Sequence, residues 1–137
     1  MIVKPEIGMI AGNFDVIHPG YIQLFQEINE NCEKQYIFLH DDPTIERPYK
    51  LKPILSVEER KEMLKHFFTQ PTFLSYNTES ELLVLLRAVN PDIRFLGDDY
   101  IDSDYTGKEL GTKIHWVNRS HGWSTTKFKK TIAESIK

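Results

Sequence analysis

The chain has 137 residues, 40% hydrophobic and 27% charged, with 17 basic against 20 acidic side chains and a formal net charge of -3. That length suits one domain over residues 1–137, and the slight acidity argues against non-specific nucleic-acid binding, so any anion site must be built locally. A lone cysteine, Cys32, excludes an intrachain disulfide and a multi-cysteine metal site; with no basic-then-apolar leader and no membrane-length apolar run, the expectation is a cytoplasmic protein outside the membrane.

Ile7 to Ala11 is an apolar run that predicts a buried strand. Pro19 to about Glu30 follows as a helix, with Ile22, Leu24, Phe25 and Ile28 on its apolar face. Tyr36 to Leu39 reads as a second strand, and Asp41 to Pro53, with three prolines and no periodicity, as a loop. Ser56-Val57-Glu58-Glu59 is a capping box that opens a helix running to about Phe68. Thr72 to Tyr76 is a third strand. Thr78 and Glu81 make a second capping box, ahead of a helix through Leu82, Leu85, Leu86 and Val89 that stops at Asn90-Pro91-Asp92. Strands over Ile93 to Leu96 and Ile114 to Val117 and a helix over Thr125 to Ile136 complete the chain.

Apolar strands alternating with helices predict a five-stranded parallel sheet covered on both faces. Such sheets bind ligands beyond the carboxyl ends of the strands, where strand order reverses. The loops at those ends carry His18, Asp41, Asp42, Gly97, Asp98, Asp99 and the run Arg119 to Ser124.

Four segments hold groups that suit phosphate chemistry. In Gly12-Asn13-Phe14-Asp15-Val16-Ile17-His18-Pro19-Gly20-Tyr21 a strand gives way to a helix, whose free N–H groups can receive a phosphate. Gly12 and Gly20 allow close approach there, and His18 can donate to a phosphate oxygen. The same turn without a ligand is simply a strand–helix turn with a histidine. Lys50 and Lys52 flank Leu51 in the proline-rich loop, either as clamps for a polyphosphate or as a solvated pair. Arg60, on the following helix, is a phosphate donor or a surface partner of Glu59 or another nearby carboxylate. Gly97-Asp98-Asp99 ends an apolar strand with carboxylates suited to a sugar hydroxyl, a base amino group or a metal-bound water, or to solvent. Arg119-Ser120-His121-Gly122-Trp123-Ser124-Thr125-Thr126 puts hydroxyls and an arginine at the opening of the last helix.

Taken together and in order, these segments resemble the nucleotidyltransferase superfamily with the HxGH signature. The likeness is to its cytidylyltransferase branch, of the glycerol-3-phosphate cytidylyltransferase type. It runs from about Ile7 to Ile132. The family's GxFDxxHxGH matches Gly12 to Tyr21. Its lysine loop resembles Lys50 to Lys52, its helix arginine Arg60, its GDD Gly97 to Asp99, and its RTxGISTT Arg119 to Thr126. The resemblance implies a Rossmann-like α/β fold, a homodimer, and transfer of CMP from CTP to a phosphorylated small alcohol or polyol, with Mg²⁺ accompanying the CTP. It implies no metal ligands from the protein.

The same resemblance assigns roles. His18 holds the triphosphate and stabilises the pentacoordinate state, Lys50 or, preferably, Lys52 clamps the phosphates, and Arg119 contacts them with Ser120, Ser124 and Thr125. Gly12, Asn13, Phe14 and Trp123 shape the nucleotide pocket, and Asp98 lies near the nucleotide. Asp15, Arg60 and Asp99 face the acceptor. Three positions depart from the pattern: Asn13 stands for threonine, Trp123 for isoleucine, and Tyr21 for the second histidine. A phenol donates one hydrogen bond but cannot become a cation. A Tyr21 in the catalytic group therefore implies an adapted enzyme or a nucleotide-binding protein without catalysis, with His121 a candidate to restore the charge. Gly12-Asn13-Phe14-Asp15 also resembles the flavin-nucleotide-forming branch, which implies adenylyl transfer as an alternative.

Overall fold

A computed structural model describes residues 3–137. Its strands are β1 (Ile7–Gly12), β2 (Lys34–His40), β3 (Pro71–Tyr76), β4 (Ile93–Gly97) and β5 (Lys113–Val117). The helices α1 (Pro19–Asn31), α2 (Val57–Leu64), α3 (Glu79–Val89) and α4 (Thr125–Ser135) alternate with them. All strands are parallel, in the order β3-β2-β1-β4-β5. This is a Rossmann-like sheet with helices on both faces, as the alternation predicts.

Strand alternation divides the core. Ile37, Leu39, Ile93 and Phe95 face α1 and α2, where Phe25, Ile28 and Leu64 close over them. Met9 and Phe38 point the other way and are covered by Leu82 and Leu86 of α3. Cys32 is buried on the α1 side, and burial pushes its thiol up, which leaves it a small packing group.

The element ends show how local bonds refine the pattern. The Ser56 capping box forms in full: the Ser56 hydroxyl accepts from Glu59 N at 3.1 Å and the Glu59 carboxylate from Ser56 N at 2.9 Å. The Thr78 box forms by half. Thr78 accepts from Glu81 N, but the Glu81 carboxylate takes Asn77 N instead of the cap's own amide. α2 ends at Leu64, short of the expected Phe68. Its last turn tightens into i→i+3 bonds, His66 N to Met63 O and Phe67 N to Leu64 O. Phe67 and Phe68 still reach Phe25, with ring centroids 5.4 and 4.9 Å away. Asn90 ends α3 in the left-handed conformation, φ 47°, which its short amide tolerates.

The pairing of β1 with β4 decides where a ligand can enter. β1 and β2 pair over six positions, from Ile7 to Gly12, but β1 and β4 register only at Gly8↔Ile93 and Met9↔Arg94. Beyond Met9 the two strands diverge. The gap opens at the carboxyl ends, at the point where the strand order reverses. Among the described residues no helix is long and apolar enough to cross a membrane.

Candidate functional site

Between the diverging ends of β1 and β4 lies a cavity of about 650 Å³. Its floor is β1 and β4 themselves, Ala11 and Gly12 facing Leu96 and Gly97. Phe14, Tyr21 and Arg119 line the side towards α1 and α4. Arg47, Tyr76, Glu79 and Arg94 line the side towards α3.

The turn after β1 is held in an unusual shape. Phe14 is buried with φ 50°, a left-handed conformation that a bulky side chain rarely adopts. Its ring lies beneath Gly12, where a Cβ would meet it at 3.1 Å, and packs on Tyr21 and Phe25. Asp15 is buried next to it. Its carboxylate accepts Ile54 N at 2.7 Å and Leu55 N at 2.8 Å and pairs with Lys129 at 2.6 Å. Asp15 thus ties the β1 turn to the segment just before α2 and to α4. Burial alone would raise this carboxyl, but the Lys129 ammonium and the two amides outweigh it and hold it below the usual value. A lowered carboxyl stabilises the fold above its unfolded value and loses that contribution as pH falls through the lower folded value. Asp15→Asn is therefore expected to cost about 1.5–3 kcal/mol at neutral pH. In denaturant titrations the gap from wild type should close as pH drops from about 7 towards about 2.

His18 precedes α1 and is buried. Its ring stacks on Tyr21 at 4.0 Å and 15°, and Tyr21 lies nearly parallel to Phe25 at 5.8 Å. Trp123 stacks on His18 at 5.7 Å. The four rings form one column. His18 Nδ1 is buried and has no hydrogen-bond partner among the described residues, as is Asn13 Oδ1. Burial lowers the His18 pKa, and the nearby His121 and Arg119 lower it further. The imidazole is thus biased towards its neutral form and has an unsatisfied ring nitrogen.

Tyr21 bridges two helices. Its hydroxyl lies 2.7 Å from Thr125 Oγ1, so the first turn of α1 is tied to the first turn of α4. Burial raises the phenol, which stays protonated. α4 is capped by Ser124, whose hydroxyl accepts from Lys127 N at 3.1 Å. The loop before it is shaped from within: Ser120 N donates to Asn118 Oδ1, Trp123 N to His121 Nδ1, and Gly122 turns at φ 78°. Gly20 lets this loop close down, since a Cβ there would meet His121 at 2.8 Å and Trp123 at 2.9 Å.

Arg119 packs its stem over Gly97, where a Cβ would meet Arg119 Cγ at 3.1 Å. Its backbone N donates to Asp98 Oδ1 at 3.2 Å, joining the loops after β4 and β5. Among the described residues its guanidinium has no ion-pair partner. Asp98 and Asp99 lie in a 3₁₀ turn, Asp98–Tyr100, at the cavity rim, with Asp99 exposed.

Of the expected site residues, Gly12, Phe14, Tyr21 and Arg119 line the cavity, whereas His18, Asp98, Trp123, Ser124 and Thr125 stand next to these in the fold without lining it, and others lie elsewhere. Lys50 and Lys52 are exposed on the loop before α2 and do not line the cavity. Arg60 is buried at 1% exposure. Its Nη1 donates to Asn13 O and His40 O, its Nη2 to Asp41 O, and its Nε to Leu55 O. The guanidinium is thus engaged by carbonyls at the end of β2 and in the two loops β1–α1 and β2–α2, and it does not line the cavity. The sequence reading also passed over Arg94, Arg47, Tyr76 and Glu79. A charge inside the apolar run of β4 was the available signal, because buried strands rarely carry an unpaired arginine.

No group of three or more His, Cys, Asp or Glu is arranged to hold a metal ion among the described residues. The exposed Asp99 carboxylate at the rim is chemically suited to a hard divalent cation carried in on phosphates.

Comparison with known proteins follows the same lines. The sequence profile described as cytidylyltransferase-like matches residues 9–135. The FAD synthase of Methanohalophilus mahii is 31% identical over 106 residues, 77% of this chain and 70% of the relative. The bifunctional protein HldE of Hyphomonas neptunium is 28% identical over 88% of this chain, but the chain spans only 26% of that protein's length. Among solved structures, a lipopolysaccharide core biosynthesis protein from Thermoplasma volcanium superposes with TM-score 0.61 at 21% identity, covering 83% of this chain and 95% of that one. The last likeness is one of fold.

Proposed function

Because the chain belongs to the cytidylyltransferase-like family, we propose that it transfers CMP from CTP to a phosphorylated small alcohol or polyol. The products are a CDP-alcohol and pyrophosphate. One observation carries the reading: Tyr21 of α1 and Arg119 line one cavity at the strand-order switch, and the Tyr21 hydroxyl is hydrogen-bonded to Thr125 at the opening of α4.

An oxygen of the acceptor phosphate attacks the α-phosphorus in line, and the bond from that phosphorus to the bridging oxygen of pyrophosphate breaks. No protein nucleophile is needed, so the work is positioning and charge stabilisation. The His18 ring nitrogen donates to a phosphoryl oxygen as a neutral group. Arg119 supplies the fixed positive charge, bidentate to phosphate oxygens. The free amides at the start of α4, with the Ser124 and Thr125 hydroxyls, receive the remaining oxygens. Lys52, with Lys50, reaches over the triphosphate from the outer loop. Mg²⁺, when bound with the nucleotide, supplies neutralisation of phosphoryl charge. Tyr21 fixes the two helix openings relative to each other and backs the His18 ring, in place of a second cation.

A second reading is favoured by the FAD synthase likeness: the same site transfers AMP from ATP. Thermal shifts decide between them, since the preferred nucleotide stabilises the fold by mass action, by about 2.7 kcal/mol at a hundredfold excess over its Kd. The expected result is a larger shift with CTP than with ATP, and pyrophosphate release from CTP, Mg²⁺ and a panel of phosphorylated alcohols. CTP binding with no release from any acceptor would count for a nucleotide-binding protein without catalysis.

A further inference from the structure

β4 contains one charged side chain, Arg94, and the fold buries it. Ile93 and Phe95 belong to the core beneath α1, so Arg94 points to the opposite face, under α3. There its Nη1 donates to Thr106 O, and the guanidinium lies 5.3 Å from the centre of the Tyr105 ring. Its Nε is buried without a partner. Among the described residues it has no salt-bridge partner. The two carboxylates lining this side are taken by other cations: Glu79 is paired with Arg47 at 3.6 Å and accepts the Thr106 hydroxyl at 2.6 Å, and Asp104 is paired with Lys108 at 3.6 Å. A buried cation without an anion is strongly unfavourable unless something supplies one. Arg94 lines the cavity, with Tyr76 and Tyr100 beside it.

We propose, resting on the transfer reaction above, that Arg94 anchors a second negatively charged group of the acceptor, a carboxylate or a phosphate remote from the phosphate that reacts. The reacting phosphate has to meet the nucleotide beside His18 and Tyr21, which pack on the α1 side. Arg94 serves the other half of the same cavity, under α3, so a single phosphate does not satisfy both. Tyr76, Tyr100 and Tyr105 line the same cavity, and their hydroxyls suit a hydroxylated linker. The acceptor is therefore a small, hydroxylated molecule with an anion at each end.

The test is calorimetric titration of the whole protein, without nucleotide, with three probes: glycerol 3-phosphate, 3-phosphoglycerate and glycerol 1,3-bisphosphate. At least one of the two-anion probes should bind about ten- to a hundredfold tighter than glycerol 3-phosphate, the range of a hydrogen bond to a charged group. Which of them does so tells carboxylate from phosphate. Arg94→Met should erase the preference, and Arg94→Lys, which keeps the charge but not the planar fork, should keep part of it. Equal affinity for all three probes overturns the inference, as does a preference that survives Arg94→Met. The wild-type comparison needs no variant, and Arg94→Lys decides if Arg94→Met does not fold. CTP titrated in parallel separates the two readings. CTP binding without an anion preference overturns this inference alone, and an anion preference without CTP binding overturns the transfer reaction alone.

Discussion

Replacing His18 with alanine is expected to lower turnover about 10²–10³-fold, the usual cost of removing one preorganised donor to a transition-state oxygen. Nucleotide affinity should change far less, because the proposed reaction leaves Arg119 and the α4 opening to hold the phosphates. The ring is buried, has an unpartnered nitrogen, and stands in a stack that fixes its plane. Those are the features of a group positioned before the ligand arrives. Its pKa is held below the usual 6.5 by burial and then by His121 and Arg119. Pyrophosphate release should therefore stay level as pH falls from about 8 to about 6.5, where an ordinary histidine would already be half protonated. His18→Asn, which retains an N–H donor, should recover part of the loss. Unchanged turnover in His18→Ala would remove the imidazole from the reaction.

Arg60→Met is expected to act on the fold. It removes the donors that satisfy Asn13 O, His40 O and Asp41 O and leaves Asp15 and Asp41 without the cation between them. Breaking a buried charged network of this kind costs about 3–5 kcal/mol. Urea denaturation should show that loss, while the KM for acceptor in the folded fraction stays as in wild type. A full-strength fold with a raised acceptor KM would return Arg60 to the acceptor.

The contrast between His18 and Arg60 shows what a sequence can reveal. Strand and helix positions were legible because each depends on neighbours within one element: alternating apolar residues, the Ser56 box, the Asn90 stop. The loops at the carboxyl ends were legible for the same reason. Arg60 was not, because its environment is set by residues 47 and 20 positions away. A helix-borne arginine looks the same whether it meets solvent or carbonyls. Lys50 and Lys52 likewise show nothing in sequence of which way their loop hangs. Arg94 was hidden by its apolar flanks, although the charge inside a buried strand was itself a signal. The separation of β1 from β4 left no mark at all, since strand order and register are long-range properties.

That separation changes what kind of recognition the cleft performs. Past Met9, the peptide groups that β1 and β4 would otherwise share face an opening instead of each other. Main-chain donors and acceptors that lose a strand partner demand another, and whatever seats itself in the opening is placed to supply it. Recognition of that kind would rest on peptide groups, which no side-chain substitution removes.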